Sequence, residues 1–116
     1  MTKTIKYDLE ERTLKFANKT ADVLRKLSKD MITIEYIKQL IRSSSSVGAN
    51  YIEANEALSK KDFLMRIKIS RKEAKESVFW INLLKNNSNS QEELNQLLQE
   101  ATELKKIFSS ILEKSK

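Results

Sequence analysis

The chain contains no proline and a single glycine, Gly48, in 116 residues. Proline breaks helices, and glycine and proline supply most of the tight turns that join strands. A chain nearly without them has little to interrupt a helix and little to build a hairpin of strands. Apolar residues recur at spacings of three and four along most of its length, which is helical and not strand periodicity. The expectation is an all-α fold, in one domain spanning residues 1–116.

Four amphipathic segments emerge. Asp8 can cap a first helix, with Glu11 at the capping-box position and Tyr7 just ahead of it as a candidate staple. Leu9, Thr13, Phe16, Thr20, Val23 and Leu27 form its stripe, and Leu14, Ala17, Ala21 and Leu24 widen it. Thr33 can cap a second helix, in which Ile34, Ile37, Ile41, Gly48 and Ile52 mark one face. Leu40, Val47, Tyr51, Ala54 and Leu58 mark the next. The serine run 43–46 has linker composition, but the periodicity passes through it in register, so a helix with small residues for close packing is expected. Ser59 and Asp62 form a capping box for the third helix. Its core stripe is Phe63, Ile67, Ser70, Ala74, Ser77, Ile81 and Leu84. A polar loop, Asn86–Asn89, precedes Ser90 and Glu93, the capping box of the fourth. Leu94, Leu97, Leu98, Ala101, Leu104, Phe108, Ile111 and Leu112 make that helix's apolar face. The helices are expected at roughly 8–27, 34–57, 60–86 and 91–114, with residues 1–7 as an arm and 115–116 as a frayed tail. Short connections favour antiparallel neighbours, hence an up-down-up-down four-helix bundle.

Cysteine and histidine are both absent. Their absence removes disulfides, thiolate nucleophiles, imidazole bases and zinc sites with nitrogen or sulfur ligands. No apolar run reaches the ~18 residues that suggest a bilayer span, and the N-terminus lacks the order of a signal peptide. A cytoplasmic protein with no membrane partner is expected. No cofactor is called for.

The net charge of +6 is uneven. Residues 59–86 alone hold eight basic and three acidic groups, a net +5. Lys61, Lys68, Arg71, Lys72 and Lys75 lie along one side of the third helix and form a candidate nucleic-acid face. That face lacks interleaved aromatics for base stacking and any groove-reading motif, so contact with RNA or DNA would be made through phosphates. On charge alone, the competing reading is a solvated lysine-rich surface.

The neighbouring stripe of the third helix, Arg66, Ile69, Glu73, Glu76, Trp80 and Leu83, is charged in its middle. Glu53 with Glu56 and Glu73 with Glu76 are acid pairs three residues apart, each able to present two carboxylates on one face. Brought together, the four could hold Mg²⁺ or Mn²⁺ for phosphate chemistry, as acid pairs do in all-helical nucleotide pyrophosphohydrolases. Arg66, Lys72 and Lys75 lie near enough in sequence to neutralise them. The preferred reading is a structural polar network or interface built from Asn50, Glu53, Arg66, Glu73, Glu76 and Trp80. Buried charges must be paired, and such networks can fix register.

Gln39-Leu40-Ile41-Arg42-Ser43, Ser46-Val47-Gly48-Ala49-Asn50 and Glu53-Ala54, followed by Ser59-Lys60-Lys61-Asp62-Phe63, Lys72-Glu73-Ala74-Lys75-Glu76, Trp80 and Leu83-Leu84, resemble the family of 23S rRNA intervening sequence proteins. The order and spacing agree through about half the chain. Tyr51-Ile52 and Ala54-Asn55 depart from the commoner family residues. The resemblance implies an up-and-down four-helix bundle that assembles as a homopentamer, with no catalytic residues to carry over and no established biochemical role. It also implies kinship with the accessory proteins of diversity-generating retroelements, basic pentameric barrels that bind nucleic acid. The functional expectation is a non-enzymatic oligomeric adaptor binding phosphate backbones. The alternatives are a protein-interaction scaffold without nucleic acid and a Mg-dependent nucleotide phosphohydrolase using the paired glutamates.

Overall fold

A computed structural model of the chain describes the backbone of residues 2–86 and 89–116 and the side chains from Leu9 onward within that span. It contains four helices: α1 (Thr2–Arg25), α2 (Met31–Asn55), α3 (Lys60–Lys85) and α4 (Gln91–Lys114). Each packs against its neighbour in sequence, and α4 closes against α1. Contacts such as Ser43 to Ser77 and Asn50 to Arg66 across α2–α3 run in opposite senses along the two helices, as do Arg12 to Glu100 and Lys26 to Glu93 across α1–α4. Neighbours are therefore antiparallel, and the fold is the expected bundle, 44 Å long and about 20 Å across.

The helix ends differ from expectation in three places. α1 is already helical at Thr2, ahead of Asp8; the side chains of Tyr7 and Asp8 lie outside the described residues, as does part of the 86–89 loop. α2 is capped by Asp30, not Thr33. The Thr33 N–H and hydroxyl both donate to the Asp30 carboxylate, at 2.8 and 3.0 Å. Those bonds, the backbone N–H first, hold the Asp30 carboxyl below its ordinary value. Thr33 has the right chemistry for a cap but an even better one stands three residues upstream. At α4, Ser90 holds the N-cap position without the side-chain cap bond, and Glu93 reaches instead to Lys26, just past the end of α1, at 2.6 Å. Ser59 does cap α3, accepting from the Asp62 N–H at 3.1 Å. α2 ends at Asn55, so Leu58 falls in the turn, fully exposed, and not on the helix face assigned to it.

The core is the periodic set. Leu40, Ile67, Ile81, Leu94 and Leu104 are wholly excluded from solvent. Each such side chain contributes about 1.5–3 kcal/mol relative to its exposed state. Tyr51 of α2 meets Phe108 of α4 with ring centroids 5.8 Å apart, tying opposite helices through the middle. Burial pushes the Tyr51 hydroxyl pKa up. Leu14, Ile41 and Ile52, expected to join the buried stripes, are instead 63%, 48% and 49% exposed. Helical register sets them on the outer rims of the α1–α2 seam, where the described residues leave them uncovered.

The serine run is helical throughout, as its periodicity requires. Ser43 and Ser44 are buried, and Ser45 turns outward and bonds back to the Ile41 carbonyl at 2.7 Å. Gly48 faces α1 so closely that a Cβ there would stand 2.8 Å from Thr13 Oγ1 and 3.0 Å from Thr13 Cβ. The opposite seam, α1–α4, is looser. Arg12 bridges it to Glu100 and Glu103, and Lys26 to Glu93, over a groove of about 920 Å³ floored by Phe16, Val23 and Leu97. Among the described residues, no helix is long and apolar enough to cross a membrane.

Gly48→Ala tests the α1–α2 approach. The new methyl gains about 1 kcal/mol of helix propensity and loses about 1–3 kcal/mol to overpacking. Net destabilisation is expected in urea unfolding, larger for Gly48→Val, and Thr13→Ala is expected to recover part of the loss from Gly48→Ala.

Candidate functional site

α2 and α3 approach most intimately because their facing residues are small. Ser43, Val47, Ser70, Ala74 and Ser77 are all buried on this seam. Hydroxyls placed in an apolar seam must find partners, and here they bond across it. Ser70 Oγ donates to the Val47 carbonyl at 2.9 Å. Ser43 Oγ and Ser77 Oγ lie 2.9 Å apart, and Ser77 donates onward to the Glu73 carbonyl at 2.9 Å. Among the described residues, no buried side-chain nitrogen or oxygen lacks a partner.

The edge of this seam carries the residues expected to form a polar network. The Arg66 guanidinium donates to Asn50 Oδ1 at 3.0 Å, near the turn. Farther along, Arg42 of α2 reaches both α3 acids: Nη2 lies 2.9 Å from Glu76, and Nη1 lies 3.3 Å from Glu73. Glu73 is 7% exposed. The hydrogen bond to Glu76, with help from Glu73, raises the Arg42 pKa above its ordinary value. Beyond them, the half-buried Trp80 packs on Tyr36 of α2, centroids 6.1 Å apart. Asn50, Arg66, Glu73, Glu76 and Trp80 thus form successive rungs of one seam. Glu53 is the exception: it is exposed, and its side chain makes no hydrogen bond or ion pair with a described residue.

The two acid pairs do not meet. Asn50 stands opposite Arg66, which places Glu53 and Glu56 at the turn end of the hairpin. Glu73 is seven residues farther along α3 than Arg66, about 10 Å. No group of three or more acidic side chains able to hold a metal ion occurs among the described residues. The four-carboxylate site envisaged for Glu53, Glu56, Glu73 and Glu76 is not assembled.

The outward face of α3 is a different surface. At 100° per residue, Lys61, Lys68, Lys72 and Lys75 fall within about 60° of one another, and Arg71 flanks them. All five are exposed, and none pairs with an acid among the described residues. Glu73 and Glu76, which alternate with these cations in sequence, are turned toward α2 and held there by Arg42.

No aromatic is interleaved among these cations, as expected, but one ring lies on the same side just beyond the last of them. Phe79 is 57% exposed and lies four, seven and eleven residues after Lys75, Lys72 and Lys68. Its ring meets Trp80 edge-on, with centroids 5.0 Å apart and planes at 77°. Sequence reasoning missed Phe79, although its spacing from the lysines was legible. It missed Arg42 as the partner of Glu73 because that pairing depends on the register of the hairpin.

Comparison with known proteins gives two findings. The family model for 23S rRNA-intervening sequence proteins matches residues 6–110. A crystal structure from Bacteroides thetaiotaomicron, described as a protein of unknown function from the S23 ribosomal protein family, superposes with a TM-score of 0.77 at 29% identity, covering 89% of this chain and 96% of that one. No curated protein matches the chain.

The Arg42 bridge gives a prediction about the seam. Arg42→Ala leaves the nearly buried Glu73 carboxylate unpaired and is expected to cost about 1–2 kcal/mol, because the guanidinium itself is half in water. Glu73→Gln on that background is expected to restore most of the loss, as read by a double-mutant cycle in urea.

Proposed function

The chain belongs to the 23S rRNA-intervening sequence protein family, and from that premise we propose that it is a non-enzymatic, cytoplasmic homo-oligomer that holds nucleic-acid phosphate backbones against α3. The observation that carries this reading is the set of unpaired cations, Lys61, Lys68, Arg71, Lys72 and Lys75, on one exposed helix face. A stripe of cations with no internal counter-charge attracts polyanions and releases their counterions on contact. The kinship with retroelement accessory proteins implied by the sequence resemblance agrees with this chemistry.

Homo-oligomerisation draws support from Leu14, Ile41 and Ile52, large apolar side chains left about half or more exposed beside the α1–α2 seam. Helical register places them on adjoining rims of α1 and α2, with Ala17, Ala21 and Ser45 between them. A row of exposed apolar side chains of this kind marks an interaction surface, and a second copy of the chain is the partner proposed for it. A closed pentamer, the assembly implied by the family resemblance, would use that strip in a heterologous contact. The same strip favours the rival reading, a protein scaffold that does not bind nucleic acid; the two separate on binding and not on mass.

Five engaged cations predict a slope of log affinity against log salt of about −3.5 for single strands and −4.5 for duplex. Lys68→Glu, Lys72→Glu and Lys75→Glu together are expected to abolish binding at ~50 mM salt while leaving the helical circular dichroism unchanged. Absence of binding by the unaltered chain at that salt would leave the scaffold reading. Light scattering at micromolar concentration is expected to give a multiple of the 13.5 kDa chain mass, falling toward the monomer for Ile41→Lys with Ile52→Lys. A monomeric mass for the unaltered chain would overturn the oligomer.

A further inference from the structure

We propose that Phe79 is a base-stacking platform, so that the α3 face takes single-stranded nucleic acid in preference to duplex. This deepens the reading above and rests on it: the lysines supply phosphate contact, and the ring supplies what phosphates cannot.

The placement carries the inference. Phe79 follows Lys75 by about 6 Å and Lys72 by about 10 Å along the helix axis. A strand running along the helix axis with phosphates on Lys68 and Lys72, whose phases bracket that of Phe79, is led toward the ring. The ring is 57% exposed, although the neighbouring positions of the core stripe, Ser77, Ile81 and Leu84, are buried. It is also braced. The edge contact with Trp80 fixes one side of the ring, and Trp80 is itself seated on Tyr36 of α2. A ring held this way loses little freedom when a base is laid on it. In duplex the base faces are already stacked on one another, whereas a single strand offers them to an aromatic side chain. Aromatic rings spaced among cations are the usual means of binding single strands with little sequence preference. The unpaired cations beside Phe79 complement a polyanion, which favours this occupant over a second copy of the chain, whose net charge is +6.

The test compares oligothymidylate of about 16 nucleotides with an abasic strand of equal length and with duplex of equal phosphate number, at ~50 mM salt. The unaltered protein is expected to bind oligothymidylate roughly tenfold more tightly than the abasic strand, the effect of one base–aromatic stack. Phe79→Ala should equalise the two while leaving the salt slope unchanged, and Phe79→Tyr should keep the difference. Trp80 is the sole tryptophan, so its emission should respond to oligothymidylate and not to the abasic strand. Equal binding of both strands by the unaltered protein would overturn the platform and leave phosphate contact standing. Binding of none of the probes would overturn both. A Phe79→Ala variant that keeps the tenfold difference but loses oligomer mass in light scattering would make Phe79 a subunit contact and overturn the proposal.

Discussion

Close contact between α2 and α3 depends on side chains small enough to let two helix backbones approach, and on hydroxyls that bond across the gap. Ser43, Ser70 and Ser77 do both. Serine is a mediocre helix former because its hydroxyl competes for backbone groups. Here that competition is turned to use: the Ser70 hydroxyl bonds to a carbonyl of the facing helix, and the hydroxyls of Ser43 and Ser77 bond to each other. With the seam closed to anything larger, the remaining surface of α3 is divided. One flank is pressed toward α2, one toward α4, and a third is left to water.

That division sorts the charges. In sequence, the acids and bases of residues 71–76 alternate and would cancel if they shared a face. In the folded chain, Glu73 and Glu76 sit on the α2 flank, where Arg42 meets them, and Lys68, Lys72 and Lys75 sit on the solvent flank. A single arginine on the neighbouring helix thus acts on two surfaces. It compensates a carboxylate that is almost buried, and it keeps both carboxylates from neutralising the lysines. The guanidinium is half in water, which discounts what the bridge adds to stability, and its hold on both acids also shapes the electrostatic character of the outer face.

Much of the fold was legible because it rests on periodicity. The stripes of α3 and α4 are buried nearly as read, and the serine run belongs to a helix as its register demanded. Helix ends were less legible: Asp30 and Thr33 are both competent caps, and the choice between them depends on where packing against α1 and α3 begins. Leu14, Ile41 and Ile52 misled for a related reason. Apolar character shows that a residue prefers burial, but not whether the same chain supplies the cover. At the candidate site, the members on α3, Trp80 among them, were legible from helix phase, as was Asn50 on α2. Arg42 was not, since pairing across a hairpin requires the register, which the turn and the serine contacts set together. Glu53 stands apart from the α2–α3 network on that account: its distance from Glu73 along the hairpin is a property of register and not of residue type.

The two unpartnered surfaces have different chemistry and different positions, and their separation bears on how a weak face could be useful. Five cations and one ring on a single helix make a modest binding surface, with non-specific affinities of about 10⁻⁴–10⁻⁶ M for phosphate contact alone. The apolar residues Leu14, Ile41 and Ile52 belong to α1 and α2, away from the outward face of α3. Self-association in which the face opposite the strip is also not the outward side of α3 would leave every copy's lysines accessible. Each further copy that engages the same strand does so at an effective concentration set by the spacing of subunits and not by the bulk solution, which can strengthen binding by 10²–10⁴ without a new kind of contact. A small bundle with no deep apolar pocket on its basic face can hold a long polyanion in this way, provided the assembly surface and the binding surface do not compete for the same helix face.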